Sequence, residues 1–193
     1  MTVSVSELRQ DHVHFSLMLN VLERQAGGIE IERRPVSLKL IQLALKYFRS
    51  YPRKFHHPKE DAIYGLLIRK HFRKPEMIYN IIEDHSDLRD VLRILSEQAE
   101  SLDLRSEEAV GVFCEKLRLF IARERDHIAM EEGHLYPTAV QMFSPEDWKS
   151  ISDSFGTETD PVFGEATAAK FDGLIATVLM HDSLSRDPEF ANA

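Results

Sequence analysis

Four long stretches of this chain carry an apolar residue at every third or fourth position, and each stripe turns to histidine at one level. Such a period is the signature of amphipathic helix. The first stretch runs over about 4–26, with Val5, Leu8, His12, Phe15, Leu19 and Leu22 on one face, and stops at Gly27-Gly28. The second runs over about 36–71 through Ile41, Leu45, Phe48, Pro52, His56, Glu60, Ile63 and Leu67, with a kink expected where Pro52 and Pro58 remove backbone donors. The third, about 75–100, carries Ile78, Ile81, His85, Leu88, Leu92 and Leu95. The fourth, about 106–142, carries Phe113, Leu117, Phe120, Glu124, His127, Glu131 and Leu135, with Ser106 and the acids after it suited to its N-terminus. Four such helices with short connections predict an all-α, up-down-up-down antiparallel four-helix bundle over residues 1–143. Residues 144–193 read as a C-terminal helical tail: SPEDW opens a short helix, TETDPVFG is a loop, and 164–182 form a further helix. The tail is expected to pack on the bundle or on a second copy of the chain.

The histidine level is where the chemistry concentrates. Two H-x-x-x-E pairs, His56 with Glu60 and His127 with Glu131, each put an imidazole and a carboxylate one turn apart on one helix face. His12 and His85 each add an imidazole from another helix. Counted at about 1.5 Å per residue, the four levels agree to within roughly 6–10 Å, so one shared layer is expected. Two carboxylates in a bundle core need a counter-charge, because burying one unpaired costs several kcal/mol. No lysine or arginine lies on these stripes at that level, and a metal cluster supplies the charge. The candidate ligands are therefore His12, His56, Glu60, His85, His127 and Glu131, a donor set that suits iron, manganese or zinc. Two octahedral ions offer about twelve positions; these ligands and a bridging oxygen fill about ten, which leaves roughly two for a small ligand.

Composition narrows the classes further. The chain has 193 residues, enough for one domain with an appendage, and a formal net charge of -8 without a basic patch, so nucleic acid is not an expected partner. No apolar run is long enough to span a bilayer, so no membrane is expected. The start MTVSVSELRQDH lacks the features of a secretory signal, and a single Cys114 rules out an internal disulfide; a cytoplasmic location is expected.

In the order H, HxxxE, H, HxxxE, the chain resembles the hemerythrin-like, or HHE cation-binding, family over roughly residues 5–142, and YPRKFHHPKED, EDH, HIAMEEGHLYP, EDW and DPVFG resemble a bacterial branch of it. The resemblance implies two iron ions bridged by Glu60, Glu131 and an oxo or hydroxo group. The chain departs from the oxygen-carrying members: Arg89 stands where they have a second histidine on the third helix, and Glu131 follows His127 by four residues where they have an aspartate at the fifth, here occupied by Glu132. A missing terminal ligand opens one iron. The expected function is then binding or reduction of dioxygen, peroxide or nitric oxide; the alternative is a non-enzymatic iron or oxygen sensor, or a metal-binding module, acting through a partner. No catalytic acid, base or nucleophile is assigned.

The remaining groups carry lesser expectations. Glu124 and His134 are placed to orient a ligand. Tyr64, one turn after Glu60, reads as packed core within reach of the cluster. His14, His57, His71 and His181 read as surface or helix-end residues, with His57 sharing a polar side with Arg53 and Asp61, and His14 sharing one with Glu7 and Asp11. Arg89 is expected in solvent, Cys114 in the core, and Asp126 and Glu132 as solvated charge.

Overall fold

The computed structural model describes residues 3–29, 37–155 and 165–184, the last segment with side chains over 172–182. The described residues are helical, without a strand. In chain order the helices are α1 (Val5–Gly27), α2 (Leu38–Tyr51), α3 (His57–Arg69), α4 (Pro75–Ser101), α5 (Glu107–Met130), α6 (Tyr136–Met142), α7 (Pro145–Asp153) and α8 (Glu165–Leu184). A five-residue π-helical turn, Pro52–His56, joins α2 to α3, and a second, Glu131–Leu135, joins α5 to α6. Among the described residues no helix is long and apolar enough to cross a membrane.

Local chemistry sets the helix starts. Ser4, Ser37 and Ser106 each accept a hydrogen bond from the backbone N–H three residues on, and Ser144 forms a reciprocal capping box with Asp147. α3 ends before His71, which takes a left-handed backbone at φ 60°. The expected loop at TETDPVFG lies outside the described residues. The expected helix over 164–182 is α8.

α1 lies against α2 and α5, α2 against α4, and α4 against α5. α8 packs on α1 and α2, where Ile175 and Val178 join the core and Arg24 donates to the buried Asp182 at 2.6 Å. α7 sits against α3, held by Lys70 to Asp147 at 2.7 Å.

The core is in two parts. One gathers Phe15, Leu19, Phe48, Leu88, Leu92, Leu117 and Phe120. The other gathers Leu8, Ile63, Leu67, Ile78, Ile81 and Leu135. Each fully buried aliphatic or aromatic side chain contributes about 1.5–3 kcal/mol. Each long stretch crosses from one cluster to the other at its histidine: His12 between Leu8 and Phe15, His56 and Glu60 between Phe48 and Ile63, His85 between Ile81 and Leu88, His127 and Glu131 between Ile121 and Leu135. One polar layer thus separates two apolar ones.

Candidate metal centre

Both HxxxE pairs sit at π-helical turns: His56 closes the first and Glu131 opens the second. A π turn bonds i to i+5 and shifts the face of every residue after it, and such turns are frequent at functional sites. Pro52 cannot donate, and His57 N–H reaches back to its carbonyl. At the second turn Tyr136 N–H reaches back to the Glu131 carbonyl, which returns Tyr136 to the face of the helix that Glu131 occupies.

The structure brings the six candidate residues together in two overlapping groups, one of His12, His56, Glu60 and Glu131, the other of Glu60, His85, His127 and Glu131; within each, one donor atom per residue lies within 4.8 Å of the others. Glu60 and Glu131 belong to both, and neither is exposed at all. His12 Nε2 stands 3.3 Å from Glu131 Oε2 and 3.1 Å from His56 Nε2, which is 3.1 Å from Glu60 Oε1. On the other side His85 Nε2 lies 3.6 Å from Glu60 Oε2, and His127 Nε2 3.3 Å from Glu131 Oε1. Donors about 2.1 Å from a shared ion stand roughly 3–4 Å apart, so this spacing suits ligation.

The donors' unmet valence fits a cation as well. Glu60 Oε2, Glu131 Oε2 and His85 Nε2 are buried without a hydrogen-bond partner. Leaving such carboxylate oxygens unmatched costs several kcal/mol, and a cation between them removes that cost. Without one, protons do part of the work. Burial alone would lower His56, but the Glu60 charge and the hydrogen bonds His56 donates to Asp11 and Glu60 push it up to about 10. Burial likewise opposes the charge on Glu131, yet His127 and His12 hold its carboxyl well below the usual range.

A set of carboxylates addresses the histidines from behind. Asp11 lies 3.1 Å from His56 Nδ1, and Glu132 lies 3.0 Å from His12 Nδ1. Asp61 is 3.4 Å from His85 Nδ1, and Asp84 is 3.7 Å from His127 Nδ1, both longer than a made hydrogen bond. Each acid adjoins a candidate ligand in sequence: Asp11 precedes His12, Asp61 follows Glu60, Asp84 precedes His85, Glu132 follows Glu131. A neighbour one residue away points about 100° round the helix, toward the seam with the next one. The contacts therefore run in one direction, from α1 to the first π turn, from α3 to α4, from α4 to α5, and from the second π turn back to α1. Acids on imidazole N–H groups fix tautomer and ring orientation.

Two phenols complete the layer. Tyr64 donates to Glu131 and Tyr136 to Glu60, each at 2.5 Å, and both rings are fully buried. Tyr136 also stacks on His12, with centroids 5.4 Å apart.

Several sequence expectations change here. His57 is not a surface group: it is half-buried and stacks flat on His85, with centroids 3.8 Å apart. Burial and the neighbouring imidazoles push it well below the usual histidine range, so it is neutral. Glu132 is not free solvated charge but bonds to His12 and Arg9. Asp11, read on a polar face, is 5 % exposed and accepts from Tyr51 as well as facing His56. His134 is exposed and orients nothing. Glu124 is buried but makes no hydrogen bond to a candidate ligand. Lys59 is buried too, but its partner is Glu7 rather than the cluster. Tyr136 and the four acids escaped the reading of the stripes; the doublets DH, ED, DH and EE at the four ligand positions were the available signal.

Against known proteins, the family model described as the hemerythrin HHE cation binding domain matches residues 3–139. Neither the curated proteins nor the solved structures searched gave a match.

Proposed function

Since the chain belongs to the hemerythrin HHE cation-binding family, we propose that it is a di-iron protein in which His12, His56, His85 and His127 hold the two ions and Glu60 and Glu131 bridge them, together with an oxo or hydroxo group. On this reading residues 1–143 are an up-down-up-down antiparallel four-helix bundle, residues 144–193 are a tail packed on it, and the centre binds or reduces dioxygen, peroxide or nitric oxide. Zinc and manganese suit the same donors; iron follows the family.

The observation that carries the proposal is the sharing of Glu60 and Glu131 between both groups, each with a buried oxygen that nothing else satisfies. When bound, an iron pair supplies a two-electron couple and positions open to a small oxidant. The chain's own part is support. Tyr64 and Tyr136, both in the apolar cluster around Leu8 and Ile63, each donate to one of the two carboxylates. Asp11 and Glu132 orient His56 and His12. The apolar clusters close the layer above and below.

The test is metal content and an optical spectrum in air for protein purified without added metal. About two irons per chain with near-ultraviolet bands from an oxo bridge is the expected result; a metal-free protein sinks the proposal. The second reading, a sensor acting through a partner, draws on the α8 contact at Arg24 and Asp182, which ties the tail to a helix carrying a ligand. Peroxide consumed in many equivalents per cluster favours the enzyme, and a one-for-one spectral change favours the sensor.

A further inference from the structure

The acids that face the imidazoles are themselves held, and three of the four divide their oxygens in the same way. Glu132 turns Oε1 to His12 and accepts from Arg9 Nε on Oε2 at 2.7 Å. Asp84 turns Oδ2 toward His127 and accepts from Arg123 Nε on Oδ1 at 2.9 Å. Asp11 turns Oδ2 to His56 and accepts from the Tyr51 hydroxyl on Oδ1 at 2.7 Å. In each case the holder belongs to the same chain passage as the imidazole. Arg9 lies three residues before His12, Arg123 four before His127, and Tyr51 five before His56 across the first π turn. Those offsets return a side chain to one helix face, three and four in an α-helix and five in a π turn. The acid crosses the seam, and its holder stands on the far side beside the ligand.

At the fourth imidazole the holder is open. Asp61 Oδ1 stands 3.4 Å from His85 Nδ1, but Oδ2 has no protein partner among the described residues. A holder of the same kind would sit one turn from His85 on α4, and Arg89 is there, four residues on. Helix side chains lean toward the N-terminus, so a residue four positions on leans back over its predecessor. Arg89 already does so: its guanidinium donates to Ser86 at 3.3 Å and to no other group among the described residues. Asp61, His85 and Arg89 line one cavity of about 510 Å³. Arg53 lines it too, but on the passage that bears Asp61 itself, where none of the other three holders lies.

We propose that Arg89 is the fourth holder: its guanidinium pairs with Asp61 Oδ2 and keeps Oδ1 on His85 Nδ1 when a cation occupies the layer. The inference rests on the metal reading above. It makes Arg89 a positioning residue, which acts on His85 through Asp61 and touches no ion. A carboxylate on the Nδ1–H group fixes the tautomer and ring orientation of a ligating imidazole. A guanidinium fork keeps that carboxylate ionised and aimed. Both side chains are exposed, and an exposed pair adds little to folding stability, so the effect is read in metal binding.

The experiment is chelator competition for zinc on the full chain, with iron content as purified measured on the same samples. Asp61→Asn is expected to weaken zinc binding by about tenfold and Arg89→Gln by about threefold or more. The double variant is expected to bind no more weakly than Asp61→Asn alone, Arg89→Lys to recover part of the loss, and Arg53→Gln to match the parent. In long-range proton–nitrogen spectra of the zinc protein, Arg89→Gln is expected to move the His85 Nδ1 signal and leave those of His12, His56 and His127 in place. Parental affinity with an unmoved His85 signal in Arg89→Gln, additive losses in the double variant, or a loss in Arg53→Gln in place of Arg89→Gln overturns the proposal. A chain that takes up neither iron nor zinc overturns the metal reading and this inference with it; uptake indifferent to Arg89 overturns this inference alone.

Discussion

Tyr136 and Tyr64 are crossed: each follows one glutamate of the centre and donates to the other, Tyr136 to Glu60 and Tyr64 to Glu131, both at 2.5 Å. The shorter brace on each carboxylate thereby comes from the opposite chain passage, while Tyr64 reaches its own Glu60 only at 3.5 Å. Removing one hydroxyl leaves a buried carboxylate oxygen short of a donor, which costs about 1–3 kcal/mol. Tyr136→Phe and Tyr64→Phe are each expected to lower the stability of metal-stripped protein by that amount in urea unfolding, and by less when metal is bound. Unchanged midpoints in the stripped protein would show that the phenols do not carry the carboxylates.

Ligand removal separates the residues of the layer from those beside it. His56→Ala and Glu131→Ala are expected to drop metal well below two ions per chain, whereas His57→Ala retains both, because His57 stacks on His85 without belonging to either donor group. Metal analysis after gel filtration reads this directly. Equal retention in all three would refute the assignment of faces.

The orienting acids have a graded effect. Asp11→Asn and Glu132→Gln keep shape but weaken the hold on His56 and His12, and a loss of about 10–100-fold in metal affinity is expected. Asp84→Asn, whose contact with His127 is longer at 3.7 Å, is expected to cost less. Competition with a chromogenic chelator ranks the three.

Metal-stripped protein should also lose stability with rising pH. His56 is raised from 6.5 to about 10 because Glu60 and Asp11 outweigh its burial. A raised folded value means the stabilisation is complete below the unfolded value and disappears as pH climbs through the folded one. The melting temperature of stripped protein is therefore expected to fall between about pH 6.5 and 10, with a flatter profile once a cation replaces the proton on the imidazole. A flat profile for stripped protein would contradict the pairing.

The stripes of the sequence were sufficient to place the inward residues of α1, α4 and α5, because an unbroken α-helix keeps one period from end to end. Leu8, His12 and Phe15 are buried as their spacing predicts. Residues after a π turn were less legible. Tyr136 lies five after Glu131, a spacing that an α period sends off the face and a π turn returns to it. His57, just past the first turn, shares its side with Arg53 and Asp61 as its spacing predicts, but that side lines a cavity and stacks on His85 rather than facing open solvent. Asp11, Asp61, Asp84 and Glu132 stand at helix seams, and whether a seam residue meets water or a neighbouring imidazole depends on which helices touch. A period measured along one helix carries no such information.

The one-way circuit of acids couples the alignment of the bundle to its grip on a cation. Every acid shares a backbone segment with one ligand and faces another, with Asp11 and Glu132 bonded to theirs, so sliding a single helix by one residue would unseat the donor it bears and draw its acid away from the donor next door. Release of one ion would then loosen the lodging of the second, and the centre would empty as a unit rather than in halves.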